Sequence, residues 1–352
     1  MVDWVISELK DEFGKMTINR GKRHTFVGID IEFNENGTVT LAMDDYIQEC
    51  ISLYEHEIKK KAATPAKGDL FDIDTSDDDV PLSEQAADKF HHTTANLLYA
   101  AKRVRIDIDL AVSFLCARVA TLTKGDEFKL KRMLAYLQGT KAIKRIIGTE
   151  ELHYIQTWIN TSYAVHRDMR GHLGAIVSMG KGTLMHSCAK QKINTKSSTE
   201  SEIVGVSDFL PCTIWASYFL KAQGHKLRRN IFYQDNTSAM KMLRNGKESC
   251  SSKSRHIYIR YFFTKDILNR EEMELKHCTT DNMIADFYTK PLQGKHFYKL
   301  RNLIMGHNTM PVEECVENGD KQATSISTKK QVSKKSSRIG INQQYKISSN
   351  FD

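Results

Sequence analysis

Residues 152–163, LHYIQTWINTSY, followed by 174–179, GAIVSM, and 183–189, TLMHSCA, decide the fold of this chain. Each run is short and rich in β-branched or aromatic residues, and Gly180-Lys181-Gly182 supplies a turn between the last two. Three successive strands so closely spaced read as an antiparallel meander. Beyond them the period changes. Ser198 to Leu220 is a long helical pattern with Ile203, Val206, Leu210 and Ile214 inward and Pro211 as a kink. Strand Asn230 to Gln234, helices at 237–244 and 256–268, strand Met273 to Cys278 and a helix at 281–288 follow. A meander continued by alternating strands and helices predicts an α/β unit.

Upstream the pattern is α+β. Val2, Val5, Ile6, Leu9 and Phe13 form one helical stripe closed by Gly14. Phe26 to Phe33 reads as a strand, Asn36-Gly37 as a positive-φ turn, and Val39, Leu41 and Met43 alternate on a return strand. Asp44 or Asp45 is suited to cap a helix carrying Tyr46, Ile47, Cys50, Ile51 and Tyr54. Residues 69–84 hold seven acids and no base, a solvated loop whose oxygen spacing matches no EF-hand. Helical patterns at about 86–103, 109–121 and 126–138 follow, the last closed by Gly139. No internal repeat is present.

The chain has 352 residues, 40% of them hydrophobic and 27% charged, enough for about two domains that bury cores without disulfides. Its 7 cysteines are scattered with no C-x-x-C pair, and no histidine has a partner at metal spacing, which points to reduced thiols and away from zinc. The N-terminus is acidic and amphipathic, unlike a secretory signal, and no apolar run approaches the ~20 residues of a membrane span. An intracellular protein of cytoplasm or nucleus, away from membranes, is expected. The net charge is +8, but residues 321–352 carry seven bases against one acid, so the preceding chain is nearly neutral. Residues 307–352 read as a disordered basic tail.

Three acids stand out in the second half. Glu202 falls in the first turns of the long helix, Asp235 just past an apolar strand, and Asp286 on the last predicted helix. Carboxylates from a strand edge and two helices can converge on one point. Such a cluster suits two hard cations, which take oxygen ligands and can hold the attacking and leaving oxygens of a phosphodiester.

The segments QKINTKSSTESEIVGVSD (191–208), YQDNTSAMKML (233–243), SRHIYIRYFFTKD (254–266) and CTTDNMIADFYTKPLQG (278–294) closely resemble the ribonuclease H region of Ty1/copia-type retrotransposon polyproteins, in the family's order. The resemblance extends backward. FVGIDIE, GTVTLAMDDYI, TPA, FHHTTANLLYAAKRVRIDIDLAVSFL and LKRMLAYLQGTK are similar to the family's reverse transcriptase after its catalytic palm. The resemblance implies the C-terminal part of a reverse transcriptase, an α+β thumb or connection-like region, over 1–148, and an α/β ribonuclease H-like domain, a mixed five-stranded sheet with flanking helices, over 149–306. It also implies upstream polyprotein domains before Met1, the palm with its polymerase centre among them. Met43-Asp44-Asp45 is then a decoy for the polymerase motif.

By motif, Glu202, Asp235 and Asp286 match three of the family's metal ligands. The activity implied is Mg²⁺-dependent hydrolysis of RNA in an RNA/DNA hybrid. The fourth ligand is expected in the first strand, where relatives read approximately W-V-D-A-S-Y-A-V-H. This chain reads WINTSYAVH, so Asn160 stands at that position. An amide is neutral and presents an NH₂ that repels cations. Cleavage is therefore expected to be impaired, with a non-catalytic nucleic-acid-binding relic as the rival reading. A transposase or integrase of related fold, with a Glu on its late helix, fits less well because the late acid here is Asp286. The basic residues Lys190, Lys196, Arg255 and Arg260 are candidates for contact with the nucleic-acid backbone.

Overall fold

The computed structural model describes residues 2–58, 60–72, 80–149, 153–246, 258–270 and 272–311. Helix α1 (Val2–Phe13) contributes no buried side chain. Strands β1 (Arg23–Phe26), β2 (Ile29–Phe33) and β3 (Val39–Ala42) form an antiparallel meander. The single strand expected over 26–33 is broken by a two-residue turn: Val27 and Gly28 both take positive φ, 50° and 73°. A β-branched residue is a poor marker for that conformation, which is why the turn is hidden in the sequence. The Tyr99 hydroxyl donates to the Val27 carbonyl at 2.7 Å and holds it.

Helix α2 (Asp44–Ser52) follows, with Met43 at its N-cap and no side-chain cap bond. Asp44 and Asp45 sit instead in its first turn, where a carboxylate still favours the dipole. Helices α3 (Glu84–Arg103), α4 (Asp109–Cys116) and α5 (Lys124–Thr140) build a helical layer. Thr123 and Asp126 close a reciprocal capping box at the start of α5, and Gly139 lies inside that helix instead of ending it. Residues 73–79 of the acidic stretch and 312–352 of the tail are outside the described residues.

Strand β4 (Arg145–Thr149), not anticipated, is followed by β5 (Tyr154–Ser162), β6 (His172–Ser178), β7 (Gly180–Lys181) and β8 (Met185–Lys190). Helix α6 (Ser198–Ala222) runs unbroken through Pro211, and β9 (Arg229–Gln234), α7 (Thr237–Asn245), α8 (Tyr258–Asn269) and β10 (Glu274–His277) follow. The helix expected at 281–288 is two short 3-10 turns, Thr280–Asn282 and Ile284–Tyr288, ahead of α9 (Gly294–Ile304).

Two five-stranded sheets result. One has the order β1-β2-β3-β4-β7, antiparallel throughout. The other is mixed, β10-β9-β5-β6-β8: β5, β6 and β8 run antiparallel, while β9 and β10 continue parallel to β5. Period-two alternation divides β5. Ile155 and Ile159 enter a core with Ile203, Val206, Phe209 and Leu210 of α6, whereas Trp158 turns to the other face and stacks on Tyr233. By length and composition α6 could cross a membrane, but half of that apolar stretch is buried in the fold.

Two glycines set the spacing. A Cβ on Gly205 would lie 2.6 Å from Thr161, so α6 approaches β5 closely; one on Gly174 would lie 2.7 Å from the Ala285 carbonyl, so the Ile284–Tyr288 turn is seated directly on β6.

Buried charge ties the helical layer to the second sheet. Asp109, fully buried, accepts from Lys102 at 2.7 Å, His186 at 2.9 Å and Ser113 at 3.0 Å. Burial alone would raise its pKa, but these donors outweigh it and hold the carboxyl below the ordinary range. Asp107 is held down in the same way by Arg105, whose guanidinium grips both carboxylate oxygens, and by the Tyr136 hydroxyl. His166 meets His172 at 3.0 Å and His172 meets the Cys188 sulfur at 3.2 Å, with Phe71 packed edge-on to His166. None of the five described cysteines is joined in a disulfide.

Gly174→Ala is expected to lower stability by about 1–3 kcal/mol through overpacking, while Gly68→Ala, with open space around it, is near neutral; urea unfolding of the two variants measures the difference. Burial pushes His166 down to about 4 and His172 down to about 3. Both are neutral in the fold but protonate near 6.5 when unfolded, so their contribution is complete above pH 6.5 and lost on acidification through pH 4 to 3. Each costs up to about 1.4 kcal/mol per pH unit across that window. His172→Asn should flatten the fall in melting temperature between pH 6.5 and 4 relative to the parent.

Candidate functional site

Asn160 reaches the site because it follows Trp158 by two residues on β5, opposite Gly174 of β6. Glu202 is placed by the start of α6. The Ser197 hydroxyl accepts from the Glu200 N–H at 3.2 Å, and the Glu200 carboxylate accepts from the Lys196 N–H at 2.8 Å, fixing the first turn. Glu202 then falls on the buried side, 4% exposed. Its Oε1 accepts from the Thr161 N–H at 3.0 Å and its Oε2 from Gln234 at 3.3 Å. Asn160 Oδ1 accepts from the same Thr161 N–H at 2.8 Å, so the two side chains converge on one donor.

Asp235 follows the last residue of β9. Its backbone N–H is held by Gln234 Oε1 at 2.9 Å, and its carboxylate meets the Thr280 hydroxyl at 3.5 Å. Asp286, 3% exposed, sits on the turn that Gly174 admits. Asn160 Nδ2 donates to Asp286 Oδ1 and, at 3.3 Å, to the Thr289 hydroxyl. Lys290 Nζ pairs with Asp286 Oδ2 at 2.8 Å.

The electrostatics follow from burial. Desolvation pushes Glu202 up to about 8, with the Asp235 charge adding to the rise and the Thr161 N–H opposing it. Desolvation also raises Asp286, aided by Asp235 and restrained by Lys290 and Asn160. Glu202 and Asp286 thus both sense the Asp235 charge.

The structure brings together Asn160, Glu202, Asp235 and Asp286, the four positions expected from sequence. Lys290 was not anticipated as a partner of Asp286, although a base four residues after an acid is a readable signal. Among the described residues no group of three or more His, Cys, Asp or Glu is spaced to hold a metal ion. The donor set explains this: one oxygen of Asp286 receives an amide N–H and the other an ammonium. These residues do not fit a two-cation site as they stand.

The other expectations divide. Lys190 is committed to Asp168 at 2.7 Å, in a turn where Asp168 also meets Arg170 at 3.4 Å. Lys196 lies exposed just before α6. Arg255 and the side chain of Arg260 are outside the described residues.

No protein-family model matches the chain, and no solved structure matches it. Several curated polyproteins do. The retrovirus-related Pol polyprotein from transposon TNT 1-94 of Nicotiana tabacum is 22% identical over 272 residues, covering 76% of this chain and 20% of the relative. That from transposon RE1 of Arabidopsis thaliana is 28% identical over 202 residues, covering 57% of this chain and 14% of the relative. The transposon Ty1-BR Gag-Pol polyprotein of Saccharomyces cerevisiae is 21% identical over 322 residues, covering 85% and 18%. The chain spans about a fifth of the length of these relatives or less. It is homologous to a part of the Pol polyproteins of Ty1/copia-type retrotransposons.

Proposed function

We propose that this chain is a retrotransposon-derived reverse transcriptase and ribonuclease H fragment. Residues 1–148 correspond to the end of a reverse transcriptase and 149–306 to a ribonuclease H-like domain, whose hydrolytic centre is impaired. The observation that carries this reading is the Asn160–Asp286 hydrogen bond. A carboxylate at position 160 would add an anion to Glu202, Asp235 and Asp286 and call for cations between them. The amide instead donates an N–H hydrogen bond to Asp286, and Lys290 offsets its charge. The mixed sheet, with acids from a strand edge, a helix start and a late turn, supports the domain assignment.

Activity by the family's route needs Mg²⁺ at this cluster to stabilise the attacking and leaving oxygens. With the first-strand anion absent and N–H donors aimed at Asp286, the present side chains favour binding an RNA/DNA hybrid over cutting it. A purely binding module is the second reading, favoured by the same Lys290 ion pair. An intracellular RNA/DNA hybrid is the substrate in the first reading and the bound ligand in the second.

The test is a gel assay on a labelled hybrid in Mg²⁺. Asn160→Asp is expected to cleave about 10³-fold or more faster than the parent, equivalent to about 4 kcal/mol of transition-state stabilisation. Asn160→Asp should also gain thermal stability on adding Mg²⁺ where the parent gains none. Efficient cutting by the parent would sink the reading. In filter binding the parent should hold the hybrid with an affinity that falls as salt rises.

A further inference from the structure

A pocket of about 410 Å³ lies between the 65–70 segment, α4 and α5, away from the carboxylates. Its floor is apolar, with Ala66, Leu70 and Leu115, while Lys67, Lys129 and Arg132 line it against a single described acid, Asp69. The Arg132 guanidinium donates to the Thr64 hydroxyl at 3.0 Å but has no carboxylate partner among the described residues, and its Nε is buried without any partner. Lys67 is exposed and likewise makes no ion pair among the described residues. Phe128 lines the same pocket and is 65% exposed, with the Lys131 ammonium 6.0 Å from its ring centroid.

A guanidinium with no carboxylate partner among the described residues, lining one pocket with an exposed ammonium, is suited to a phosphate. An exposed aromatic face next to it is suited to a flat heterocycle. The two together are the chemistry of one nucleotide unit. The pocket's position adds to this. A narrower cleft shares Pro65, Ala66 and Ala111 with it, and the far wall of that cleft carries Phe287, Lys290 and Pro291. Lys290 is the residue whose ammonium sits on Asp286. The pocket is thus linked through that cleft to the residue that pairs with Asp286.

We propose that this pocket is a nucleotide-binding subsite, with Arg132 and Lys67 on a phosphate and Phe128 against the base, for a strand that runs on to the carboxylates. The course of the strand rests on the ribonuclease H-like reading of that site. The pocket's affinity for a phosphate and a base does not.

Fluorescence anisotropy with the full chain tests it, using a dye-labelled RNA/DNA hybrid with a single-stranded extension and, separately, dye-labelled adenosine monophosphate. Phe128→Ala is expected to weaken binding of the hybrid about tenfold, the scale of one base–aromatic stack. Lys67→Ala should lower the salt dependence by about one phosphate contact, and Arg132→Lys should retain part of the affinity that Arg132→Ala loses. The Phe128→Ala effect should persist in an Asp286→Asn background. Both Phe128 and Lys67 are exposed, so their variants should melt with the parent. Phe128-dependent binding of the mononucleotide assigns the pocket to free nucleotides as well as strands; dependence with the hybrid alone assigns it to the strand. If the hybrid fails to bind but the mononucleotide binds through Phe128, the subsite stands and the ribonuclease reading falls. Folded Phe128→Ala and Lys67→Ala proteins that bind both probes as the parent does overturn the proposal.

Discussion

The turn Ile284–Tyr288 rests directly on β6 because Gly174 has no side chain, and much of the structure hangs from that contact. It places the Asp286 carboxylate over Asn160 of the neighbouring strand. It also places Tyr288 in a stack on His186, whose ring is bonded to the buried Asp109 of the helical layer. On its other side Phe287 stacks on Phe297 of α9, which packs in turn against Tyr136 of α5. One close approach therefore fixes a carboxylate, a strand pair and the attachment of the helices. A single methyl group at residue 174 has to push against backbone, which cannot yield as a flexible side chain can.

The second constraint is electrostatic. Three acids lie near one another at the end of the mixed sheet, two of them buried. Such a group must find cations, take up protons or acquire N–H donors. This chain uses the last two. Burial favours the protonated form of Glu202, and Asp286 is met by an amide and an ammonium. An amide at position 160 presents Asp286 with a donor where a carboxylate would present an acceptor, so the cluster is self-consistent without an added ion.

Much of this was legible in the sequence. The meander β5, β6, β8 and the later strands follow from alternation and turn residues, and α6 from its period. Motif order singles out Glu202, Asp235, Asp286 and Asn160, which spacing alone does not rank, and the fold brings these four side chains near one another. The hidden parts share a physical cause. The β1–β2 turn uses Val27 at positive φ, where sequence reasoning looks for Asn or Gly. Strands β4 and β7 are short and stabilised by partners far away in sequence, so they carry no local signal. The 281–288 segment has a helical pattern, but its seat on β6 imposes tight turns. Gly139 stays helical because packing of Leu130, Met133, Leu134 and Leu137 outweighs its intrinsic preference to end the helix.

The pairing of β4 with β7 has a consequence for how the chain is made. Thr149 and Gly148 lie against Gly180 and Lys181, and the Arg145 guanidinium donates to the carbonyls of Thr183 and Leu184. During vectorial synthesis on the ribosome, residues up to 149 emerge with the far edge of their sheet unpaired and with Arg145 holding the Arg103 carbonyl but not yet those of Thr183 and Leu184. That nascent edge is a template for wrong partners until some thirty further residues have been added, at roughly 5–20 residues per second. The first sheet is therefore completed only after the second has begun.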